Sequence, residues 1–349
     1  MKHLPPCVDC YTAEGEAFVG ARTLRSLMFG RLLLLWAVLA FPLFASPAQS
    51  VPDLSVLDAI LERAAFAMRS DLELVVLYRG DVVYRKLTSG HGTGAASGAG
   101  RLPIASASKW LAAATVQSMV DEGLLAWDDP AGLHLYYLRE DKAPITLREI
   151  FAHTSGMRAG FPCLAERTKT IDNCVQEIAR SPLLYAPGTT FHYGDAGMQV
   201  GGRVAETVTG RLWEDLFQQR IAQPLGMLTT TFQPDGPALN PDIAAGAAST
   251  TGDYLRFVQM LAAGGAWEGK RILSRRGVER MLADQTGGAR IASSYYAADE
   301  AIRPGASASR YGFGNWLEGA GDGVSEANSS QGVWATARRG ACHARRWPA

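Results

Sequence analysis

The sequence predicts an α+β domain, an α/β sandwich in which an antiparallel sheet is flanked by helices and a mainly helical lobe is attached. Three observations carry that expectation. Leu72 to Tyr78 and Val82 to Leu87 are strand-like runs separated by Arg79-Gly80-Asp81, the composition of a hairpin. Residues 110 to about 250 are dominated by helical periodicity. Strands expected from about residue 310 onward would complete the sheet whose edge the hairpin forms.

Taken in order, Asp53 to Ser70 reads as an amphipathic helix preceding the hairpin, and Gly92 to Gly100 as a loop of small residues. Pro103 and the Ser106-Ala107-Ser108 run mark a helix entrance. Trp110, Leu111, Ala112, Ala113, Ala114, Val116, Met119 and Val120 then continue an apolar helix that ends near Gly123. A helix apolar nearly all round is a buried one. Residues 148–157 form a helix end running into a His153-Thr154-Ser155-Gly156 turn, and a further helix is expected from Ala196 to Thr209. Gly287 to Ala308 lacks periodicity and reads as loop, and the chain has no internal repeat.

At the start of the buried helix, Ser106 and Lys109 stand three residues apart and share one helical face. A serine hydroxyl becomes a competent nucleophile when a base takes its proton, and a lysine desolvated by apolar neighbours can shift far enough to be that base. The bland alternative is a solvated lysine beside a capping serine, since a chain of this length holds about one such spacing by chance.

Two further segments favour the chemical reading: Arg148-Glu-Ile-Phe-Ala-His-Thr-Ser-Gly-Met157, and Pro187-Gly-Thr-Thr-Phe-His-Tyr193-Gly-Asp195-Ala-Gly-Met198. In this order the three segments resemble the penicillin-recognising serine hydrolases: class C β-lactamases, D,D-peptidases, D-aminopeptidases and β-lactamase-like esterases. The resemblance runs from about Leu54 to Gly332 and takes in Asp121-Glu-Gly-Leu-Leu125 with Asp128-Asp-Pro130, Pro224-Leu-Gly-Met227 with Thr231-Phe232, and Ala248-Ser-Thr-Thr-Gly-Asp-Tyr254. It implies the β-lactamase/transpeptidase-like fold, Ser106 as nucleophile, and Lys109 and Tyr193 sharing proton transfer. The Ser106 backbone N–H would supply one oxyanion donor, with the helix N-terminus behind it. A third motif, K-T-G or H-x-G in relatives, falls at Ser329-Ser330-Gln331-Gly332, which makes Ser330 and Gly332 candidate binding residues.

Asp195 departs from the family pattern, where asparagine is frequent. An ionised aspartate only accepts hydrogen bonds, so it could anchor Lys109 by charge but could not donate to a substrate amide. That tilts the reading toward ester hydrolysis, and the alternative is that Asp195 caps the Ala196–Thr209 helix. His153 and His192 could face a site, but neither belongs to a G-x-S-x-G elbow and the chain has none, so His153 is expected to hydrogen-bond its own turn. No H-E-x-x-H, cysteine quartet or phosphate-binding glycine loop is present, so neither a metal nor a cofactor is expected. With Lys and Arg totalling 34 against 34 Asp and Glu, nothing in the charge balance points to nucleic acid.

The chain ends differ from the middle. Residues 1–48 read as an upstream extension and a secretory signal of about 28–48, in which Arg31 precedes the apolar run Leu32 to Ala45 and Ser46-Pro47-Ala48 closes it. The run is too short for a membrane span, and Cys7 and Cys10 fall in the extension. The hydrolase domain is expected over 53–332, its helical lobe over about 110–250. An oxidising compartment, periplasmic or extracellular, suits a Cys163–Cys174 disulfide in a surface loop. Residues 333–349 lack strand alternation where relatives continue with two strands and a helix, which reads as a frameshift. The functional expectation is an exported carboxylesterase or D,D-peptidase/aminopeptidase-like hydrolase acting on small ester, amide or peptide substrates. Its alternatives are a class C-like β-lactamase and an inactive, truncated binding module.

Overall fold

The computed structural model describes residues 53–78, 80–90, 100–293 and 310–317, all within the unit Asp53–Ala349. Helix α1 (Val56–Met68) ends on Arg69, whose left-handed backbone (φ 47°) turns the chain into strand β1 (Leu72–Tyr78). Strand β2 (Asp81–Thr88) returns antiparallel, with Leu72 opposite Thr88 and a register shift between Val76 and Leu77. The Tyr84 hydroxyl donates to Asp58 at 2.7 Å and Lys86 donates to Glu62 at 2.8 Å, tying the hairpin to α1. Strand β3 (Leu102–Pro103) then leads through a 3-10 turn (Ala105–Ala107) into α2 (Ser108–Asp121). Residues Ser108 to Met119 of α2 are all buried, so this helix is the axis of the core.

The chain continues through α3 (Leu147–Phe151), α4 (Ile171–Arg180), strand β4 (Thr190–His192), α5 (Ala196–Thr209) and α6 (Trp213–Phe217); α5 and α6 pack on α2, and α3 and α4 pack on α5. Thr146 and Glu149 form a reciprocal capping box that starts α3, and Thr170 caps α4. On α5, a Cβ added at Gly202 would stand 1.8 Å from Ile243 Cδ1, so the missing side chain lets the 240s segment pack directly on the helix. That segment becomes strand β5 (Ala248–Ser249), antiparallel to β3, and is followed by α7 (Thr251–Ala262), the small hairpin β6 (Ala266–Trp267) and β7 (Lys270–Arg271), and α8 (Arg275–Met281). Strand β8 (Arg290–Ser293) runs parallel to β4, so Gly287 to Ala308 is not loop throughout; pairing with a distant strand, which local composition does not announce, creates it. Strands β9 (Arg310–Tyr311) and β10 (Trp316–Leu317) enclose a turn that drives Phe313 onto Trp127, ring centroids 3.8 Å apart. Among the described residues every sheet is two-stranded, and no ladder links the β1–β2 hairpin to β9–β10. No described helix is long and apolar enough to cross a membrane.

Candidate active site

The β3–β5 ladder, extended by the Ile104 N–H donating to Ala247 at 2.9 Å, carries the chain to the mouth of α2. Ala105 is left-handed there (φ 45°), a conformation that costs an alanine about 1 kcal/mol, and it turns the next residue outward. Ser106 is exposed, whereas Lys109, one turn on, is buried. The geometry therefore presents a hydroxyl to solvent with a sequestered amine behind it. Tyr254 steadies the turn by donating to the Ala107 carbonyl at 3.1 Å.

The Lys109 ammonium has three acceptors: Ser106 Oγ at 3.4 Å, Asp195 Oδ1 at 2.7 Å and the Ala244 carbonyl at 3.3 Å. Three donors meet three acceptors, so the charge is satisfied although the side chain is inaccessible. Burial pulls the Lys109 pKa down, but the negative charge that Tyr193 carries when ionised, the Asp195 carboxylate with its hydrogen bond, and Asp242 together outweigh it, and the net direction is upward. The sequence-based expectation of a lysine whose pKa apolar neighbours lower is corrected here: that lowering is present, but two carboxylates and a tyrosine outweigh it. Asp195 makes no side-chain cap to α5, which decides between its two readings in favour of the ion pair.

Tyr193 follows β4, and its ring centroid lies 4.8 Å from Lys109 Nζ. The ring is wedged between His153 (centroids 4.5 Å apart) and Trp316 (5.3 Å, stacked). His153 does not bond its own turn, as its position in a tight turn suggested. Its left-handed backbone (φ 57°) swings the ring inward, and Nδ1 accepts from the Gly194 N–H at 3.4 Å, one residue from Tyr193. Burial, then the charges of Lys109 and His192, hold His153 well below the ordinary histidine value of 6.5. The unfolded chain therefore binds more protons below pH 6.5; the stability His153 contributes is full above that pH and is lost as pH falls toward the folded-state value. Relative to His153→Phe, the wild type should lose about 1.4 kcal/mol per pH unit below 6.5. Denaturant unfolding at several pH values checks this, and a pH-independent difference between the two proteins would contradict it.

Sequence reading missed the 240s segment, which supplies the Ala244 carbonyl and Asp242; the turn-forming Asn240-Pro241-Asp242 was the available signal. Cys163 and Cys174 are disulfide-bonded, but both are fully buried between a 3-10 turn (Pro162–Ala165) and α4, not in a surface loop. The candidate binding residues Ser330 and Gly332, like residues 1–48 and 333–349, lie outside the described residues. Among the described residues no cluster of side chains could hold a metal ion.

A family model described as Beta-lactamase matches residues 61–341. The chain belongs to the β-lactamase family. Its fold is the β-lactamase/transpeptidase-like one: a candidate β-lactamase from Bacteroides dorei superposes with a TM-score of 0.66 at 32% identity, over 76% of this chain and 79% of that one. Among curated proteins, the lovastatin esterase of Penicillium rubens is 31% identical over 38% of this chain and 40% of its own length. The D-alanyl-D-alanine-carboxypeptidase/endopeptidase AmpH of Escherichia coli is 24% identical over 45% of this chain and 47% of its own. The chain spans 59% or less of the length of the curated relatives it matches. This β-lactamase-type family is one of serine hydrolases that includes esterases and D-alanine carboxypeptidases.

Proposed function

We propose that this chain is an exported serine hydrolase that forms an acyl-enzyme on Ser106, with a carboxylic ester or a small peptide as substrate. The carrying observation is that a buried, fully paired Lys109 ammonium, which lies over the Tyr193 ring, donates to the hydroxyl of the exposed Ser106. Because Lys109 already holds its proton, it acts as a donor that stabilises negative charge developing on Ser106 Oγ, and Tyr193 takes the Ser106 proton by reacting as its phenolate, the form of a tyrosine that can accept one. The Oγ–C bond forms as the carbonyl electrons move onto oxygen, which faces the Ser106 N–H. Collapse expels the alkoxide or amine, which leaves with the proton from Tyr193. Water then attacks the acyl-enzyme by the same proton route in reverse. Asp195, an acceptor only and already paired with Lys109, offers no donor to a substrate amide, and this supports esters over β-lactams. The lovastatin esterase among its relatives agrees with that ranking. The buried Cys163–Cys174 bridge and the signal-like segment at about 28–48 support a periplasmic or secreted location.

The test is intact-mass analysis of the protein after exposure to a fluorophosphonate and, separately, to a fluorescent penicillin. One adduct with the fluorophosphonate, absent in Ser106→Ala, is the expected result. An adduct with penicillin that turns over quickly would move the assignment to a class C-like β-lactamase. No adduct on folded protein would mean an inactive binding module.

A further inference from the structure

The third acceptor of Lys109 is a backbone carbonyl, and a carbonyl is only as well placed as the segment that carries it. The segment around Ala244 is clamped at both ends. On one side Gln199, buried in α5, donates to Asn240 Oδ1 at 2.7 Å and to the Pro241 carbonyl at 2.9 Å, and accepts from the Ile243 N–H at 3.2 Å. On the other side the Ala247 N–H donates to Ser108 Oγ at 3.0 Å, next to Lys109 itself. Between these clamps one side chain shapes the turn. Asp242 Oδ1 accepts from the Ala244 N–H at 2.9 Å and the Ala245 N–H at 3.0 Å, and its carbonyl accepts from the Gly246 N–H at 2.8 Å. A Cβ on Gly246 would stand 2.6 Å from that carbonyl, so the turn closes only with glycine there.

We infer that Asp242 is a positioning residue: by folding this turn it aims the Ala244 carbonyl at Lys109 and so fixes the ammonium against Ser106. The inference rests on the acyl-enzyme reading above. An ammonium with its donors fixed in three directions points one of them at Ser106 Oγ. Without the Ala244 acceptor, the 2.7 Å bond to Asp195 would govern its orientation and the 3.4 Å contact to Ser106 would be the first lost. The requirement is for an acceptor oxygen at Oδ1, which asparagine supplies as well as aspartate.

The experiment measures the saturable fluorophosphonate labelling of Ser106, separating the maximal rate from the half-saturating concentration, in wild type, D242A, D242N and D242E. D242A should lower the maximal rate at least about tenfold with the half-saturating concentration unchanged, as expected when a reacting group is misaimed. D242N, keeping the acceptor, should return the rate to within about threefold of wild type, and D242E, keeping the charge but moving the acceptor by one methylene, should stay slow. Equal rates in D242A and wild type overturn the inference, as does D242N as slow as D242A. If D242A does not fold, the order of D242N and D242E decides alone: D242E faster than D242N would show that charge matters and position does not. Wild-type protein that takes no adduct would instead overturn the acyl-enzyme reading on which the inference stands.

Discussion

Lys109→Met should reduce the rate of fluorophosphonate labelling at Ser106 by at least about a thousandfold, close to the Ser106→Ala background. Methionine matches the lysine stem in length and fills the same buried channel, so the change removes charge with little change in packing. It takes away the donor to Ser106 Oγ and leaves Asp195 without its ion-pair partner. The Asp195 side chain retains 38% of its exposure, so water can solvate the released carboxylate and the fold should survive. The comparison is therefore between two folded proteins, checked by circular dichroism and by the labelling time course. Labelling within tenfold of wild type would sink the role given to Lys109. A lysine held above its ordinary value of 10.5 stays charged through the neutral range, so an activity change near pH 7 belongs to some other group.

Removing the Cys163–Cys174 bridge, by Cys174→Ser or by reduction, should lower the unfolding free energy by about 3 kcal/mol. Closing a loop of this length, with cysteines 11 positions apart, restricts the unfolded chain by roughly that amount. Serine in place of a fully buried Cys174 also places a hydroxyl among apolar neighbours and adds to the loss. The effect should reach the active-site side of the lobe, because the Asn240 side chain donates to the Cys163 carbonyl at 2.7 Å and Gln199 donates to Asn240. Denaturant curves with and without reductant measure it. Coincident curves, with the thiols shown to be free, would mean that the bridge contributes nothing.

Much of this was legible in the chain because it depends on local pattern. The α1 helix, the β1–β2 hairpin, the length of α2 and the start of α5 at Ala196 follow from periodicity, turn residues and glycine stops, which act over one or two helical turns. Ser106, Lys109 and Tyr193 were readable for another reason: the first two are held at a helical spacing, and all three sit in motifs that a family resemblance carries as units. Reading failed where one residue's role depends on a partner far along the chain. Burial of Lys109 was foreseen from the apolar helix, but the direction of its pKa was not, because Asp195 and Asp242 come from segments 86 and more positions away. The parallel pairing of β8 with β4 was missed because a four-residue strand carries little periodicity of its own.

The sequence by itself placed most helices and the first hairpin through local pattern and put Ser106 and Lys109 on one helical face through their spacing, while the resemblance of its motifs, not composition, carried the family and Tyr193. Tertiary structure alone decided that Lys109 is an ammonium with three acceptors, that Asp195 pairs with it and leaves α5 uncapped, and that His153 braces the Tyr193 loop. The physical reason is common to all three. The charge state of a buried group and the direction of its hydrogen bonds are set by whatever the fold packs around it, and those neighbours are chosen by packing across the whole chain.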